Sequence, residues 1–428
     1  RVVRFHFSRS SNAHASPSGT AAPAAFWIGP PVGTSSAAGR AEAQQMRAVT
    51  YRAPGVMKVV EKPEPRIEHP DDIVLKVTRT AICGSDLHLL HGLVPDTRVG
   101  TTFGHEFAGV VEEVGPGVAS LSRGDRVVVP FNIACGTCFY CQRGLTSVCD
   151  NSNCSCSMGG GAFGYSNTTG GYDGGQAEYV RVPFADVGPF KIPDDMHEED
   201  VLFLSDILPT GYQAAEMGGI KQGETVCVFG AGPVGLMAMQ SAWLMGAARV
   251  IAVDRLEYRL DFAKRWAGVE TLNYEEQGNV DVVGRLREMT EGRGPDACID
   301  AVGCEAKGSK LQSFLGNAKL QAGSATALTW AIQSARRGGN VVLIGVYGPP
   351  WNMVPIGEAM NKGLTLRGAQ CNVKRYLPHL LEHIRAGRLN PKAIISHRFP
   401  LEQGAEAYKI FDEKRDECIK CVLIPSAA

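Results

Sequence analysis

The sequence lacks any uninterrupted apolar run that approaches the roughly 18 residues a membrane-spanning helix needs. It also lacks an excess of charge, since 43 Lys and Arg residues balance 44 Asp and Glu residues and leave a formal net charge of -1. Binding to nucleic acid or to a membrane surface by charge alone is therefore not expected. A chain of 428 residues with 44% hydrophobic side chains can bury a sizeable core in two or three domains, and its expected partner is a small molecule.

The N-terminal segment, residues 1–45, has no acidic residue before Glu42 but has four arginines and many Ala, Ser, Gly and Pro residues. Such an Arg-rich, Ser-rich and acid-poor composition is typical of a mitochondrial transit peptide, although proline recurs here. Upstream sequence joined to a start at Met46 would give the same composition. We predict that residues 1–45 are a disordered or targeting segment. The predicted location is cytoplasmic, or mitochondrial if this segment is a transit peptide.

From Met46 onward the sequence changes to strand-like apolar runs separated by glycines and prolines. From about Thr225, short apolar runs alternate with helix-favouring stretches, which is typical of a parallel sheet. After about Ala369 the chain returns to mixed segments that are short for an independent domain, so we expect them to pack on the first domain. The predicted organisation is a domain split between residues 46–207 and 369–428, with a second domain at residues 208–368 between its two parts.

A glycine-rich turn marks the predicted start of the second domain. The apolar run 225–229 leads into Gly230, Gly232 and Gly235, with Pro233 and Val234 opening a helix-favouring stretch. In the G-x-G-x-x-G fingerprint the first glycine permits the turn, the second admits a pyrophosphate and the third lets helix and strand pack closely. The helix N-terminus adds free N–H groups and the positive end of a dipole. The strand, turn and helix together predict a dinucleotide site.

The choice of dinucleotide depends on the end of the next apolar run. Asp254 lies nineteen residues beyond Gly235, where a carboxylate can bind the adenosine ribose and repel a phosphate. This favours NAD, and NADP remains the alternative because Arg255 and Arg259 follow and either can meet a 2′-phosphate. Asp254 could also be only a helix N-cap.

Four cysteines form the most specific local motif. The spacing C-x2-C-x2-C-x7-C fits within fifteen residues, and four thiolates at such spacing can surround one zinc ion in a closed structural site. An iron–sulfur cluster is the alternative, although no second cluster motif is apparent. Thirteen cysteines are few for a chain of this length, so a reducing compartment fits better than a disulfide scaffold. The predicted ligands are Cys135, Cys138, Cys141 and Cys149.

A reactive group of side chains is spread over two segments. Cys83, Ser85 and His88 lie within six residues, and His105 and Glu106 follow. Each alone is more often a core residue than a ligand. Their combination with a zinc motif and a dinucleotide motif in one chain favours catalysis.

The order C-G-S-D-x-x-H, G-H-E, clustered cysteines and G-x-G-x-x-G resembles the zinc-dependent medium-chain alcohol dehydrogenase family from Met46 to the end. Residues 131–136, 174–180 and 204–212 resemble the glutathione-independent formaldehyde dehydrogenase branch. The resemblance implies an α/β chain with a GroES-like β-barrel catalytic domain and a doubly wound Rossmann domain. It also implies two zinc ions, one catalytic and one structural, and assembly as a homodimer or homotetramer.

The resemblance further implies the roles of the reactive residues. Many members place a cysteine where this branch uses the aspartate that matches Asp206, which gives catalytic zinc ligands Cys83, His105 and Asp206. Three protein ligands leave a position open for substrate oxygen. Glu106 is implied behind the metal as a transient ligand, and Asp86 as the partner of the His105 ring. Ser85 is implied at the alcohol oxygen, and His88 as the next group in a proton relay.

Further cofactor contacts follow from the same resemblance. Thr210 matches a position near the nicotinamide, Val302 and Val346 match backbone sites for its carboxamide, and Arg367 matches a basic residue near the pyrophosphate. Each could instead be a packing or surface residue. The expected function is hydride transfer between NAD and a small alcohol or hydrated aldehyde. The alternatives are a polyol dehydrogenase, which would oxidise vicinal diols, and a noncatalytic dinucleotide-binding protein.

Overall fold

The structure is a computed structural model that describes residues 44–94, 96–154, 159–276, 280–303, 325–347 and 353–425. The prediction for the N-terminal segment 1–45 therefore lies almost wholly outside the described residues, and with it the prediction of the compartment. Residues from Gln44 onward form one compact unit.

The strands carry the predicted apolar runs. They are β1 Gln45–Ala53, β2 Val56–Pro63, β3 Ile73–Ala81, β4 Glu106–Val114, β5 Arg126–Val129, β6 Asn132–Ile133, β7 Gly161–Ala162, β8 Tyr179–Val182, β9 Phe190–Lys191, β10 Thr225–Phe229, β11 Arg249–Asp254, β12 Glu270–Asn273, β13 Ala297–Asp300, β14 Asn340–Leu343, β15 Thr365–Gly368, β16 Ile395–Pro400 and β17 Lys420–Ile424.

The α-helices of the described residues are short. They are α1 Gly84–Leu90, α2 Glu198–Val201, α3 Ile207–Met217, α4 Pro233–Leu244, α5 Glu257–Phe262, α6 Val282–Met289, α7 Thr326–Ser334, α8 Ile356–Asn361, α9 Leu377–Arg385 and α10 Gly404–Glu413. Among these helices none combines the length and the apolar character that crossing a bilayer requires.

The second half of the chain builds a parallel sheet of six strands in the order β12-β11-β10-β13-β14-β15. Its central strands are apolar except for Thr225 and Asp300 at their ends because both faces are covered, as expected of a doubly wound sheet. The strand order reverses between β10 and β13. In such sheets a ligand binds in the crevice at the carboxyl ends of the strands that flank the reversal. The Gly230 turn follows β10 at that point.

The first half forms a mostly antiparallel sheet of seven strands, β16-β17-β3-β4-β5-β9 with β8 paired to β3. The C-terminal segment returns to this sheet as expected, because Val422 and Leu423 of β17 pair with Ala81 and Thr80 of β3. This return brings the end of the chain close to the segment that contains Cys83. The division at residues 207/208 and 368/369 remains a prediction, since the described chain is one unit from Gln44.

Candidate active site

Three predicted ligands from distant segments meet at one point. Cys83 directly precedes α1, His105 directly precedes β4, and Asp206 directly precedes α3. Asp206 Oδ2 lies 3.5 Å from Cys83 Sγ and 3.2 Å from His105 Nε2, and all three side chains are buried. Their ligand atoms all lie within 4.8 Å of one another, as a single bound ion requires.

A buried polar chain holds two of these ligands in place. The Asp86 carboxylate accepts a hydrogen bond from the Cys83 backbone N–H at 3.1 Å and lies 3.2 Å from His105 Nδ1. Gln176 donates to the same carboxylate at 3.2 Å and accepts from the Tyr408 hydroxyl at 2.8 Å. Because Nδ1 faces a carboxylate, Nε2 of His105 is left to bind a metal. Gln176 and Tyr408 were not predicted from the sequence.

The four clustered cysteines also meet, with ligand atoms within 4.8 Å of one another. Sγ of Cys138 and Sγ of Cys149 are 3.9 Å apart, close to the ~3.8 Å expected for two sulfurs on a tetrahedral zinc at ~2.3 Å. The Thr137 and Cys138 backbone N–H groups donate to Cys135 Sγ at 3.4 and 3.3 Å. Burial alone would raise the pKa of Cys135, but a hydrogen bond from the Thr137 hydroxyl, together with these two backbone hydrogen bonds, lowers it to about 6 and favours the thiolate that zinc binds.

One cavity of about 390 Å³ extends from the Cys83 cluster to the Gly230 turn. Ser85 Oγ lies 3.2 Å from His105 Nε2 at the cluster end. The wall between the two ends contains most of the residues predicted to bind substrate or dinucleotide. These are Ser85, His88, Thr210, Gly230, Gly232, Pro233, Val234, Asp254, Arg259, Val302 and Val346.

The turn after β10 has the shape that the glycine pattern predicts. Gly230 has φ +94°, and a Cβ on Gly235 would lie only 1.8 Å from the Gly230 oxygen, so helix α4 packs against the turn as only glycine allows. A Cβ on Gly232 would meet only an Arg259 nitrogen, at 3.5 Å. The backbone at Gly232 is therefore open to a ligand. Asp254 stands beside this opening, with Oδ2 accepting from the Ala231 N–H at 2.7 Å.

Comparisons with known proteins agree with this geometry. Residues 69–194 match the family model for the alcohol dehydrogenase GroES-like domain, and residues 233–315 match the zinc-binding dehydrogenase model. An uncharacterized zinc-type alcohol dehydrogenase-like protein of Bacillus subtilis is 48% identical over 89% of this chain and 100% of its own length. The chain belongs to the zinc-type alcohol dehydrogenase family.

Two further members of the family show its range. Glutathione-independent formaldehyde dehydrogenase of Pseudomonas aeruginosa is 39% identical over 70% of this chain and 75% of its own length. The solved structure of the alcohol dehydrogenase from Thermus sp. ATN1 aligns with a TM-score of 0.76 and 38% identity, over 89% of this chain and 99% of that one. The predicted fold class, a GroES-like catalytic part with a Rossmann sheet, is confirmed, as is the resemblance to the formaldehyde dehydrogenase branch.

The charges of the Cys83 cluster fit a cation. Burial alone would lower the pKa of His105, but the nearby charges of Asp86, Cys83 and Asp206 raise it well above its ordinary value. Burial would raise the pKa of Asp206, and hydrogen bonds from His105 and Thr210 lower it, so this carboxylate stays ionised. Burial and the carboxylate of Glu106 raise the pKa of Cys83. The carboxylates of Asp86 and Asp206 on either side of the His105 ring favour a cation at these ligand atoms.

Behind the Cys83 cluster lies a buried ion pair between Glu106, which the sequence analysis named, and Lys420, which it did not. Glu106 Oε2 is 2.5 Å from Lys420 Nζ, and both side chains are completely buried. Burial raises the pKa of Glu106 to about 7, with Lys420 acting in the opposite direction. Lys420 Nζ also lies 5.5 Å from the ring centroid of Phe203. Glu106 does not line the cavity, so in this structure it is held by Lys420 rather than directed at substrate.

Arg367 lies elsewhere than its predicted role requires. It is an exposed residue of β15, the edge strand, and it does not line the cavity. Its Nη1 is 3.5 Å from the Met217 oxygen. Arg259 lies much nearer the glycine turn, so the pyrophosphate role of Arg367 stays a prediction that the cavity does not favour.

Proposed function

We propose that this alcohol dehydrogenase moves hydride between NAD and a small alcohol or hydrated short aldehyde, with a catalytic zinc held by Cys83, His105 and Asp206. The main observation in support is that these ligands and the Gly230 turn line a single cavity. A substrate held at the ligands and a nicotinamide dinucleotide held at the turn would therefore share one space. Proximity of this kind is what hydride transfer needs.

Zinc supplies a Lewis acid that lowers the pKa of a bound alcohol and polarises a bound carbonyl. Two residues of the chain, Ser85 and His88, are placed to transfer the proton. Ser85 Oγ, 3.2 Å from His105 Nε2, is close enough to take a proton from an oxygen held at the ligands. His88 lines the same cavity, and an imidazole can both accept and donate a proton near neutral pH, so this residue can pass that proton toward solvent.

The preference for NAD over NADP rests on Asp254. Its Oδ1 accepts from the backbone N–H groups of Arg255 and Leu256, at 2.7 and 3.0 Å, and its Oδ2 accepts from Ala231. A carboxylate held this firmly beside the open turn can accept a ribose hydroxyl and repels a 2′-phosphate. Arg259 is the residue that would favour NADP, since its guanidinium approaches Gly232.

We propose a second, structural zinc at the four clustered cysteines, since all four sulfurs face one point and no position among them is left for substrate. We also propose a homodimer or homotetramer. The supporting observation is that β15 ends the parallel sheet, while the nearby side chains of Ile356 and Met360 are 63% and 74% exposed. Light scattering coupled to gel filtration tests the oligomer.

The decisive experiment measures zinc per chain and NAD reduction in wild type and Asp206→Asn. The substrates are formaldehyde, ethanol, a longer primary alcohol and sorbitol. We expect two zinc ions in the wild type and about one in the variant, with turnover lost. Oxidation of sorbitol in preference to primary alcohols would favour the polyol dehydrogenase alternative.

The matched control is Cys371→Ala. Cys371 is buried and lines the same cavity but is not one of the three ligands, so this variant should keep both zinc ions. One zinc in the wild type and in both variants would contradict the ligand assignment.

A further inference from the structure

A third group of potential metal ligands lies outside the active site and apart from the four clustered cysteines. It consists of His397 on β16, Cys418 just before β17 and Cys421 on β17, and their ligand atoms lie within 4.8 Å of one another. The two sulfurs are 3.4 Å apart. The segment Cys-Ile-Lys-Cys therefore presents two thiols to one imidazole.

A bulge in β16 brings the histidine to the thiols. Ile395 pairs with Lys420 and His397 pairs with Cys421, so two steps along β16 match one step along β17. A bulge re-aims the side chains that follow it. The extra residue, Ser396, stabilises the bulge because its hydroxyl accepts the N–H groups of residues 419 and 420 at 2.9 and 3.1 Å.

The group is buried on one side and reachable from the other. Cys418 and Cys421 are completely buried, whereas His397 is half-buried and forms part of the wall of a surface cavity of about 280 Å³. Asp416 and Glu417 line the same cavity, which also contains Arg265. The two carboxylates make the entrance favourable for a cation.

We propose that His397, Cys418 and Cys421 form a third metal site, suited to a soft divalent cation such as Zn²⁺. Two thiolates and one imidazole are ligands that zinc prefers, and the ion cancels the charge of two thiolates. On binding, each thiol releases its proton to solvent and each sulfur forms a bond to the ion.

The separation of the two sulfurs, 3.4 Å, supports this assignment because one ion can contact both of them. The competing interpretation is that both cysteines are small core residues, because they belong to a buried apolar cluster. A second buried pair of cysteines, without a nearby histidine ligand in the described residues, serves as the comparison for that interpretation. Cys227 and Cys298 stand opposite each other on β10 and β13 but belong to no three-ligand group among the described residues.

The site would also restrain an element of the active site. Lys420 lies between the two cysteines, and its ammonium reaches Glu106 behind the Cys83 cluster. An ion that joins Cys418, Cys421 and His397 would fix β17 against β16 on both sides of this lysine.

The test is the zinc content of purified, zinc-saturated and desalted protein, measured by elemental analysis. Cys418→Ala/Cys421→Ala should contain one zinc fewer than wild type, whereas Cys227→Ala/Cys298→Ala should match wild type. Because each count is a difference from wild type, the result is independent of whether the catalytic ligands are correctly assigned.

A second measurement tests the proposal even if Cys418→Ala/Cys421→Ala folds poorly. His397→Gln changes a half-buried residue, and it should lose its third zinc to a chelator at least tenfold faster than wild type. In wild type, zinc should suppress alkylation of Cys418 and Cys421 as followed by peptide mass spectrometry. Equal zinc in all four proteins would overturn the proposal in favour of a core pair. A disulfide between the two cysteines in zinc-saturated protein would overturn it in favour of a redox pair.

Discussion

The buried pair of Glu106 and Lys420 gives the sharpest test of how this fold supports its site. We predict that Lys420→Met lowers the free energy of unfolding by about 3–5 kcal/mol, the cost of leaving one charge of a buried pair without its partner. No discount for solvent applies, because both side chains are completely buried and 2.5 Å apart. Methionine nearly fills the space of lysine, so the loss reports charge rather than a cavity.

Two further variants separate charge from packing. Lys420→Arg keeps the positive charge, so its loss of unfolding free energy should be less than about half of the loss for Lys420→Met. The loss that it does show would reflect the larger guanidinium. Adding Glu106→Gln to Lys420→Met removes the unpaired carboxylate and should recover at least about 1 kcal/mol, because the amide costs less to bury than the charge. A small part of the original loss belongs to the ammonium's contact with Phe203.

Urea titration followed by intrinsic fluorescence at pH 9, above the pKa of about 7 to which burial raises Glu106, measures these differences, with zinc content checked in each protein. A loss below about 1 kcal/mol for Lys420→Met would refute the reasoning, since it would mean that water or a rearranged side chain replaces the lysine. If Lys420→Met combined with Glu106→Gln lost as much free energy as Lys420→Met alone, the effect would come from packing and not from the unpaired charge.

Three other outcomes follow from individual contacts. The hydrogen bond from Arg398 lowers the pKa of Glu199, so its stabilisation is present above the ordinary pKa of ~4.3 and is lost as pH falls through the lower folded value. Glu199→Gln should therefore cost about 0.5 kcal/mol at pH 7 and less at pH 3, as urea titrations at both pH values would show. The cost is small because the partly exposed pair is screened by solvent. Gly235→Ala places a Cβ 1.8 Å from a backbone oxygen, so it should abolish NAD binding in calorimetry or prevent folding, and unchanged binding would contradict the turn geometry. Asp254→Ala should raise the KM for NAD about tenfold or more while changing that for NADP less, because the lost carboxylate hydrogen bonds are worth ~1.5–3 kcal/mol.

The local motifs were the most predictable part of the molecule. The spacing of Cys135 to Cys149 and the turn from Gly230 to Gly235 each depend on residues close in sequence, so pattern and geometry agree. Asp254 could be placed at a strand end for the same reason. The alternation of apolar runs and helical stretches likewise predicted the parallel sheet.

The Cys83 cluster could not be derived from spacing, because Cys83 and Asp206 are brought together by tertiary packing across 123 residues. Only the resemblance to a family pointed to Asp206. Lys420 was missed although a single lysine at the start of an otherwise apolar strand is a usable signal for a buried ion pair. Gln176 and Tyr408 carried no such signal, since polar contacts between distant segments leave no local pattern.

The beginning of helix α3 explains how one ligand position can differ among related enzymes. Asp206 occupies the residue that precedes the helix, where an aspartate usually accepts backbone hydrogen bonds, yet its side chain makes none there. Its carboxylate instead accepts from the Thr210 hydroxyl at 2.8 Å and points at Cys83 and His105. The helix therefore does not depend on this side chain, and a cysteine in place of Asp206 would change the proposed ligand without unwinding the element that carries it.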